Sequence, residues 1–121
     1  MRDFKRLDVW KKAIELGEEI YKVTADFPKD EMYGLVSQMR RAIVSTSSNI
    51  AEGCGRRTSK DFIGFLYNAM GSISEVESQL FISGKLGYIK DKRVDELVEE
   101  LKELAKMLYG FIKYISGQEV R

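Results

Sequence analysis

Apolar residues recur along the chain at alternating intervals of four and three, the spacing of helices that each bury one face. Val9, Ala13, Leu16, Ile20, Val23 and Phe27 form the first row, with Trp10, Ile14, Gly17 and Tyr21 beside it. Leu35, Met39, Ala42 and Thr46 form the second, flanked by Val36, Ile43 and Ile50. Phe62, Leu66, Ala69, Ile73, Val76 and Leu80 form the third, with Phe65, Met70 and Phe81 alongside. Val94, Leu97, Leu101, Leu104, Leu108, Phe111 and Ile115 complete the set, widened by Val98, Ala105 and Ile112. Paired rows make faces too wide for a two-stranded coil and suited to a bundle.

Punctuation between the rows sets the boundaries. Asp8 is a candidate N-cap, and Phe27-Pro28 ends the first segment because the residue before proline is pushed out of the helical region. Gly53 to Thr58 reads as a loop with glycine stops, Thr58 or Ser59 as the next cap, and Asp61 as a favourable first-turn acid. Gly84 and Gly87 end the third segment and Asp91 opens the fourth. The predicted helices cover roughly 8–26, 31–53, 59–86 and 91–116. Together they imply an all-α fold, one domain over 1–121, as an antiparallel up-down-up-down four-helix bundle. Glu96, Glu99, Glu100, Lys102, Glu103 and Lys106 on the outer face of the last helix read as solvated.

A polar stripe interrupts this scheme. Gln38, Arg41, Ser45, Ser48 and Glu52 alternate by three and four on the second helix, beside the run Ser45-Thr46-Ser47-Ser48-Asn49. Such residues compete for backbone hydrogen bonds and add little to a surface helix. Asn68, Ser72, Glu75 and Gln79 trace a matching row on the third helix. Facing rows would form a polar network of Gln38, Arg41, Ser45, Asn49, Glu52, Ser72 and Glu75, with Arg41 paired to Glu75. Breaking a buried pair of that kind would cost about 3–5 kcal/mol. Two other placements remain open: both rows face water, or both line a contact between subunits.

Composition narrows the chemistry. Among 121 residues there is no histidine, which removes the commonest general base and the Ser-His and Cys-His nucleophile pairs. Cys54 is the only cysteine, so neither an internal disulfide nor a thiolate zinc site is available, and between two glycines it reads as an inert loop thiol. Glu52, Glu75 and Glu77 read as structural carboxylates. These features predict a protein that is not an enzyme and uses no cofactor or metal. The charged start MRDFKRLDVW lacks the form of a signal peptide, and no apolar run is long enough to span a membrane, so a cytoplasmic location is expected.

Residues 27 to 80 carry a denser signature: Phe27-Pro28, Glu31, Gly34-Leu35, Gln38, Arg40-Arg41-Ala42, Ser45, Asn49-Ile50-Ala51-Glu52-Gly53, Gly71-Ser72 and Glu75. With the opening FKRLDVWKKAIEL and the later LGYI, this pattern resembles the 23S rRNA intervening-sequence protein family, also called four-helix bundle or S23 ribosomal proteins. The resemblance implies a small bacterial bundle that assembles into a ring-like homopentamer. It extends to the accessory variability proteins of diversity-generating retroelements, which bind nucleic acid and engage a reverse transcriptase. By resemblance, then, the expected partners are further copies of the chain, RNA or DNA, and a partner protein such as a reverse transcriptase.

Net charge is +1, from 20 basic and 19 acidic residues, so polyanion binding needs a local patch. Between Gln38 and Lys60 the chain carries Arg40, Arg41, Arg56, Arg57 and Lys60 against Glu52 alone. Those five are the candidate nucleic-acid contacts, with Lys5, Arg6, Lys11 and Lys12 as a second group. Repetition around a ring would make a modest patch multivalent. The plainer alternative is that Arg40 and Arg41 are structural, that Arg56 and Arg57 only solubilise a loop, and that the bundle binds proteins without touching nucleic acid.

Overall fold

In a computed structural model, which describes residues 3–120, the chain forms four helices: α1 (Asp8–Thr24), α2 (Leu35–Cys54), α3 (Ser59–Lys85) and α4 (Asp91–Val120). Two 3-10 turns, Phe4–Arg6 and Lys29–Glu31, precede α1 and α2. Each helix packs against its two neighbours in the cycle α1–α2–α3–α4 and not across the diagonal, which is the predicted up-down-up-down bundle. No strand occurs among the described residues.

The predicted rows form the core. Ile20, Met39, Ile43, Ile50, Phe62, Leu66, Ile73, Leu80, Leu97, Leu101, Leu104 and Leu108 are fully buried. Thr46, placed by periodicity in an apolar row, is buried too, and its Oγ1 donates to the Ala42 carbonyl at 3.1 Å. The hydroxyl therefore enters the core with its hydrogen bond made, avoiding the cost of an orphaned polar group.

Helix ends differ from expectation for local reasons. Leu7, not Asp8, occupies the N-cap of α1, and Asp8 lies inside the first turn, where its negative charge complements the helix dipole. Helix α2 begins at Leu35 rather than near residue 31 because Glu31 stays outside and its Oε1 accepts the Leu35 N–H at 3.2 Å. Of the two residues expected to cap α3 it is Thr58 that does so: its Oγ1 accepts the Asp61 N–H at 3.1 Å, and Ser59 begins the helix. At its other end Gly87 adopts φ +80, while the Tyr88 and Gly87 N–H groups donate to Ser83 and Gly84 carbonyls at 2.9 and 3.0 Å. This is a Schellman closure, and the left-handed residue it needs is most readily glycine.

Cys54 and Gly53 belong to α2, not to a loop, and both are buried. A Cβ on Gly53 would meet Phe62 Cδ1 at 2.8 Å and Phe65 Cβ at 2.9 Å, so α2 approaches α3 through a site that holds no side chain. The face of α4 expected to be only solvated is partly tied to α1. Lys12 pairs with Glu100, and Arg93 bridges Glu19 at 2.6 Å and Glu96 at 3.2 Å.

The close approach yields a contrast between glycines. Gly53→Ala should destabilise the chain by about 1–3 kcal/mol, because overpacking outweighs the gain in helix propensity. Gly64→Ala, which faces open space on α3, should stabilise it by about 0.5–1 kcal/mol. Urea unfolding of the two variants would check both signs.

Candidate nucleic-acid interface

The structure divides the five candidate cations by their surroundings. Arg40 is half-buried and committed within the chain: its Nε donates to Thr24 Oγ1 at 3.0 Å and an Nη to the Tyr21 carbonyl at 3.2 Å. Its guanidinium also lies 4.5 Å from the centroid of the Tyr21 ring. Thr24 Oγ1 in turn donates to the Ile20 carbonyl at 2.7 Å. Arg40 thus covers carbonyls at the C-terminal end of α1, where a cation is favourable. It is a clamp between α1 and α2.

Arg56 is exposed but partly engaged, 3.5 Å from Glu52 and stacked 4.5 Å from the Phe65 ring. Arg41, Arg57 and Lys60 are exposed and make no ion pair among the described residues. They do not form one patch. Arg41 lies fifteen positions before Arg56, roughly 20 Å along the helix axis, toward the opposite end of the bundle. Arg57 and Lys60 share their end with the exposed Lys5 and Arg6, because the 3-10 turn Phe4–Arg6 packs against α1 and α2. Within the second group, Lys12 is held by Glu100.

The proposed polar network is assembled only in part. Ser72 Oγ donates to Ser45 Oγ at 3.0 Å, and Asn49 Nδ2 donates to the Ser45 Oγ and carbonyl at 3.1 and 2.9 Å. Small hydroxyls therefore bridge α2 and α3, as the matching rows predict. Arg41 and Glu75 do not pair. Both are exposed, as is Gln38, so the buried ion pair expected there is absent. Glu52 pairs instead with Arg56, one helical turn on. Gln79, the last residue of the second row, is buried with its Oε1 unpartnered among the described residues.

Two residues with large structural roles, Glu31 and Tyr88, carry no obvious signal in periodicity. Glu31 caps α2 with one carboxylate oxygen, and its Oε2 accepts the Tyr88 hydroxyl at 2.9 Å. Tyr88 also packs on Phe27, ring centroids 5.2 Å apart. The bond to Glu31, with burial and the Glu31 and Asp30 charges, raises the Tyr88 phenol above its ordinary 10.0.

Among the described residues no cluster of acidic or cysteine side chains could hold a metal ion, and no helix is long and apolar enough to cross a membrane. The clefts are open and shallow. One of about 500 Å³ lies between α1 and α2, lined by Tyr21, Met32, Tyr33, Ser37, Arg40 and Arg41, and one of about 520 Å³ lies between α3 and α4.

The fold and its surface can be set beside known proteins. The family model for 23S rRNA-intervening sequence protein matches residues 5–110. The chain belongs to that family. The family member is similar to a crystal structure from Bacteroides thetaiotaomicron, described as a protein with unknown function from the S23 ribosomal protein family. The two share 25% identity with a TM-score of 0.77, over 87% of this chain and 98% of the other. No curated protein matches. Neither description states an enzymatic activity.

Adjacent arginines in this family member should behave differently from what the sequence alone suggests. Arg40→Ala should cost about 1–3 kcal/mol by stripping α1 of its cover, whereas Arg41→Ala should stay within about 0.5 kcal/mol, far below the cost of breaking a buried pair. Denaturant unfolding of the two variants checks this. The raised phenol gives a second expectation. A proton held more tightly in the folded chain stabilises fully below the ordinary tyrosine range, and that stability is lost as pH rises through the folded value. The stability gap between wild type and Tyr88→Phe should therefore narrow above about pH 10, as followed by urea midpoints across alkaline pH.

Proposed function

We propose that this chain is a non-enzymatic, homo-oligomeric bundle of the cytoplasm, pentameric as its resemblance implies, that serves as a scaffold or accessory factor on nucleic acid. The observation that carries this reading is the basic end of the bundle. Arg57 and Lys60 are exposed without ion-pair partners among the described residues and share that end with Lys5 and Arg6. Cations held by no carboxylate are available to phosphate, and contacts of this kind position a polyanion without reading its sequence. Arg56, stacked on Phe65 and beside Glu52, supports the same surface from behind. A ring would repeat the cluster once per subunit and convert weak contacts into avidity.

A second reading, a module that binds a partner protein such as a reverse transcriptase without nucleic-acid contact, is favoured by large apolar side chains left exposed at the other end. Tyr33 is 96% exposed, and Phe81, Ile82 and Leu86 are each about half exposed. Such side chains are typical anchors of protein interfaces.

The two readings separate in one titration. Binding of a short structured RNA should weaken steeply with salt, and the Arg57→Ala/Lys60→Ala double variant should bind less tightly. Its salt slope should fall by about two for each subunit whose cluster contacts the RNA, close to one unit for each phosphate that is no longer neutralised. An unchanged affinity and slope would remove this end of the bundle as a nucleic-acid surface.

A further inference from the structure

Where α1 begins, it meets the second half of α4, and the two helices leave an open cleft of about 420 Å³. Leu7, Val9, Met107 and Phe111 form its apolar part, and Arg6 and Asp8 stand exposed at its border. Neither Arg6 nor Asp8 has an ion-pair partner among the described residues. The turn that carries Arg6 is held in place. Asp3 Oδ1 accepts the Lys5 N–H at 3.1 Å, the Arg6 N–H donates to the Asp3 carbonyl at 3.1 Å, and Phe4 packs edge-on against Trp10, ring centroids 5.2 Å apart. On the far wall Phe111 meets Phe62 of α3 edge-on, centroids 5.6 Å apart. Phe62 follows Lys60 by two residues, so this wall continues into the helix turn that carries that cation.

We infer that this cleft takes an unpaired base of single-stranded RNA, guanine being the best match, while the cations of the same end hold the flanking phosphates. The inference deepens the nucleic-acid reading above and rests on it.

Asp8 argues for a base. An unpaired carboxylate beside Lys5 and Arg6 works against a surface that holds phosphate alone, whereas a base edge carries N–H donors that need an acceptor. Guanine presents N1–H and N2–H side by side, and the two oxygens of one carboxylate accept both. Its O6, next along the same edge, accepts from a guanidinium N–H. Arg6 and Asp8 place that donor and that acceptor on one border of the cleft.

The walls suit the faces of a base. An aromatic ring and a thioether are polarisable surfaces on which a base stacks, as in other single-strand sites. The position suits the backbone on either side of that base. A strand seated in the cleft has Lys5 and Arg6 on the α1 side, and Lys60 beyond the Phe111–Phe62 contact on the α3 side.

Duplex RNA is disfavoured, because its base edges are already paired and its bases must be extruded to reach the walls. A free nucleotide is disfavoured too. So open a cleft leaves much of a small ligand in water, and neighbouring phosphates must supply the remaining affinity. An apolar side chain of a partner protein is the weaker occupant, since it would cover Arg6 and Asp8 without a hydrogen bond to either.

Fluorescence anisotropy with short labelled RNAs tests the cleft in the full chain. The three probes are a uridine strand with one central guanine, a strand of uridine alone, and a hairpin with the guanine locked in its stem. The guanine strand should bind more tightly than the other two by at least about fivefold. Asp8→Asn is the deciding variant, because the two accounts give opposite signs. If this end only attracts phosphate, removing a negative charge strengthens binding. If Asp8 holds the base edge, the guanine strand loses at least about fivefold in affinity and the uridine strand loses nothing. Phe111→Leu, which keeps an apolar side chain against Phe62, should weaken both single strands by at least about fivefold and leave the hairpin unchanged. Urea unfolding confirms that each variant is folded.

Equal affinity for the guanine strand and the hairpin, or tighter binding of the guanine strand by Asp8→Asn, would overturn the cleft as a base site. The basic end would then stand as a phosphate surface, provided that Arg57→Ala/Lys60→Ala still weakens binding. No binding to any of the three RNAs at low salt would overturn both readings. Displacement of the guanine strand by micromolar guanosine monophosphate would overturn the single-strand assignment in favour of a free nucleotide.

Discussion

The close approach of α2 to α3 is the constraint on which the remainder of the bundle depends. Gly53 leaves room for Phe62 and Phe65, Ser45 meets Ser72 through their hydroxyls, and Ser83 reaches the Met39 sulfur at 3.6 Å. Each pair is short, so the two backbones come together where larger residues would hold them apart. Close packing then places Phe62 where it meets Phe111 of α4 edge-on, ring centroids 5.6 Å apart. Interiors packed at this density tolerate little change in volume, and the seam therefore dictates where the other helices lie.

Polar groups at the seam are consistent with this role. Ser45, Asn49 and Ser72 satisfy one another, and Thr46 and Ser83 return their hydroxyls to carbonyls of their own helices. A buried hydroxyl with its bond made costs little, and it occupies far less space than the leucine that would otherwise fill the position. On α2 it is Ser45, with Thr46 and Asn49 beside it, that draws the two helices together, while Gln38, Arg41, Ser48 and Glu52 of the same stripe are exposed. Gln79 Oε1 is the exception, buried beside the same seam without a partner among the described residues.

The two ends of the bundle are built differently. One is pinned: Arg40 holds α1 to α2, Glu31 caps α2 and binds Tyr88, and Phe27 packs on the Tyr88 ring. Tyr33, two residues beyond Glu31, stands almost wholly in solvent at this end. The other end presents cations with few intrachain ties.

Much of the architecture was legible in the residues. Four-and-three periodicity is local, set by the turn of the helix and the need to bury apolar surface, so the rows from Val9 to Ile115 located every core helix and the bundle order. Caps at Thr58 and Gly87 were legible for the same reason, because they depend on neighbours within one turn. Matched spacing made the facing of Ser45 and Ser72 one of three placements, and the hydroxyl contact between α2 and α3 decided it. What spacing could not supply was the partner of a long side chain. Arg40 and Arg41 are adjacent and chemically identical, yet a rotation of about 100° per residue sends one onto carbonyls of α1 and the other into solvent. Arg41 and Glu75 are both exposed and unpaired with one another, axial rise along α2 breaks the five cations into two groups, and Glu31 lies before α2 and caps it. Sequence determined which residues are helical and which are buried, because those depend on local geometry and hydrophobicity. Only the tertiary structure decided which charges are spent inside the fold and which remain for a partner, because that depends on the distance and rotation between helices.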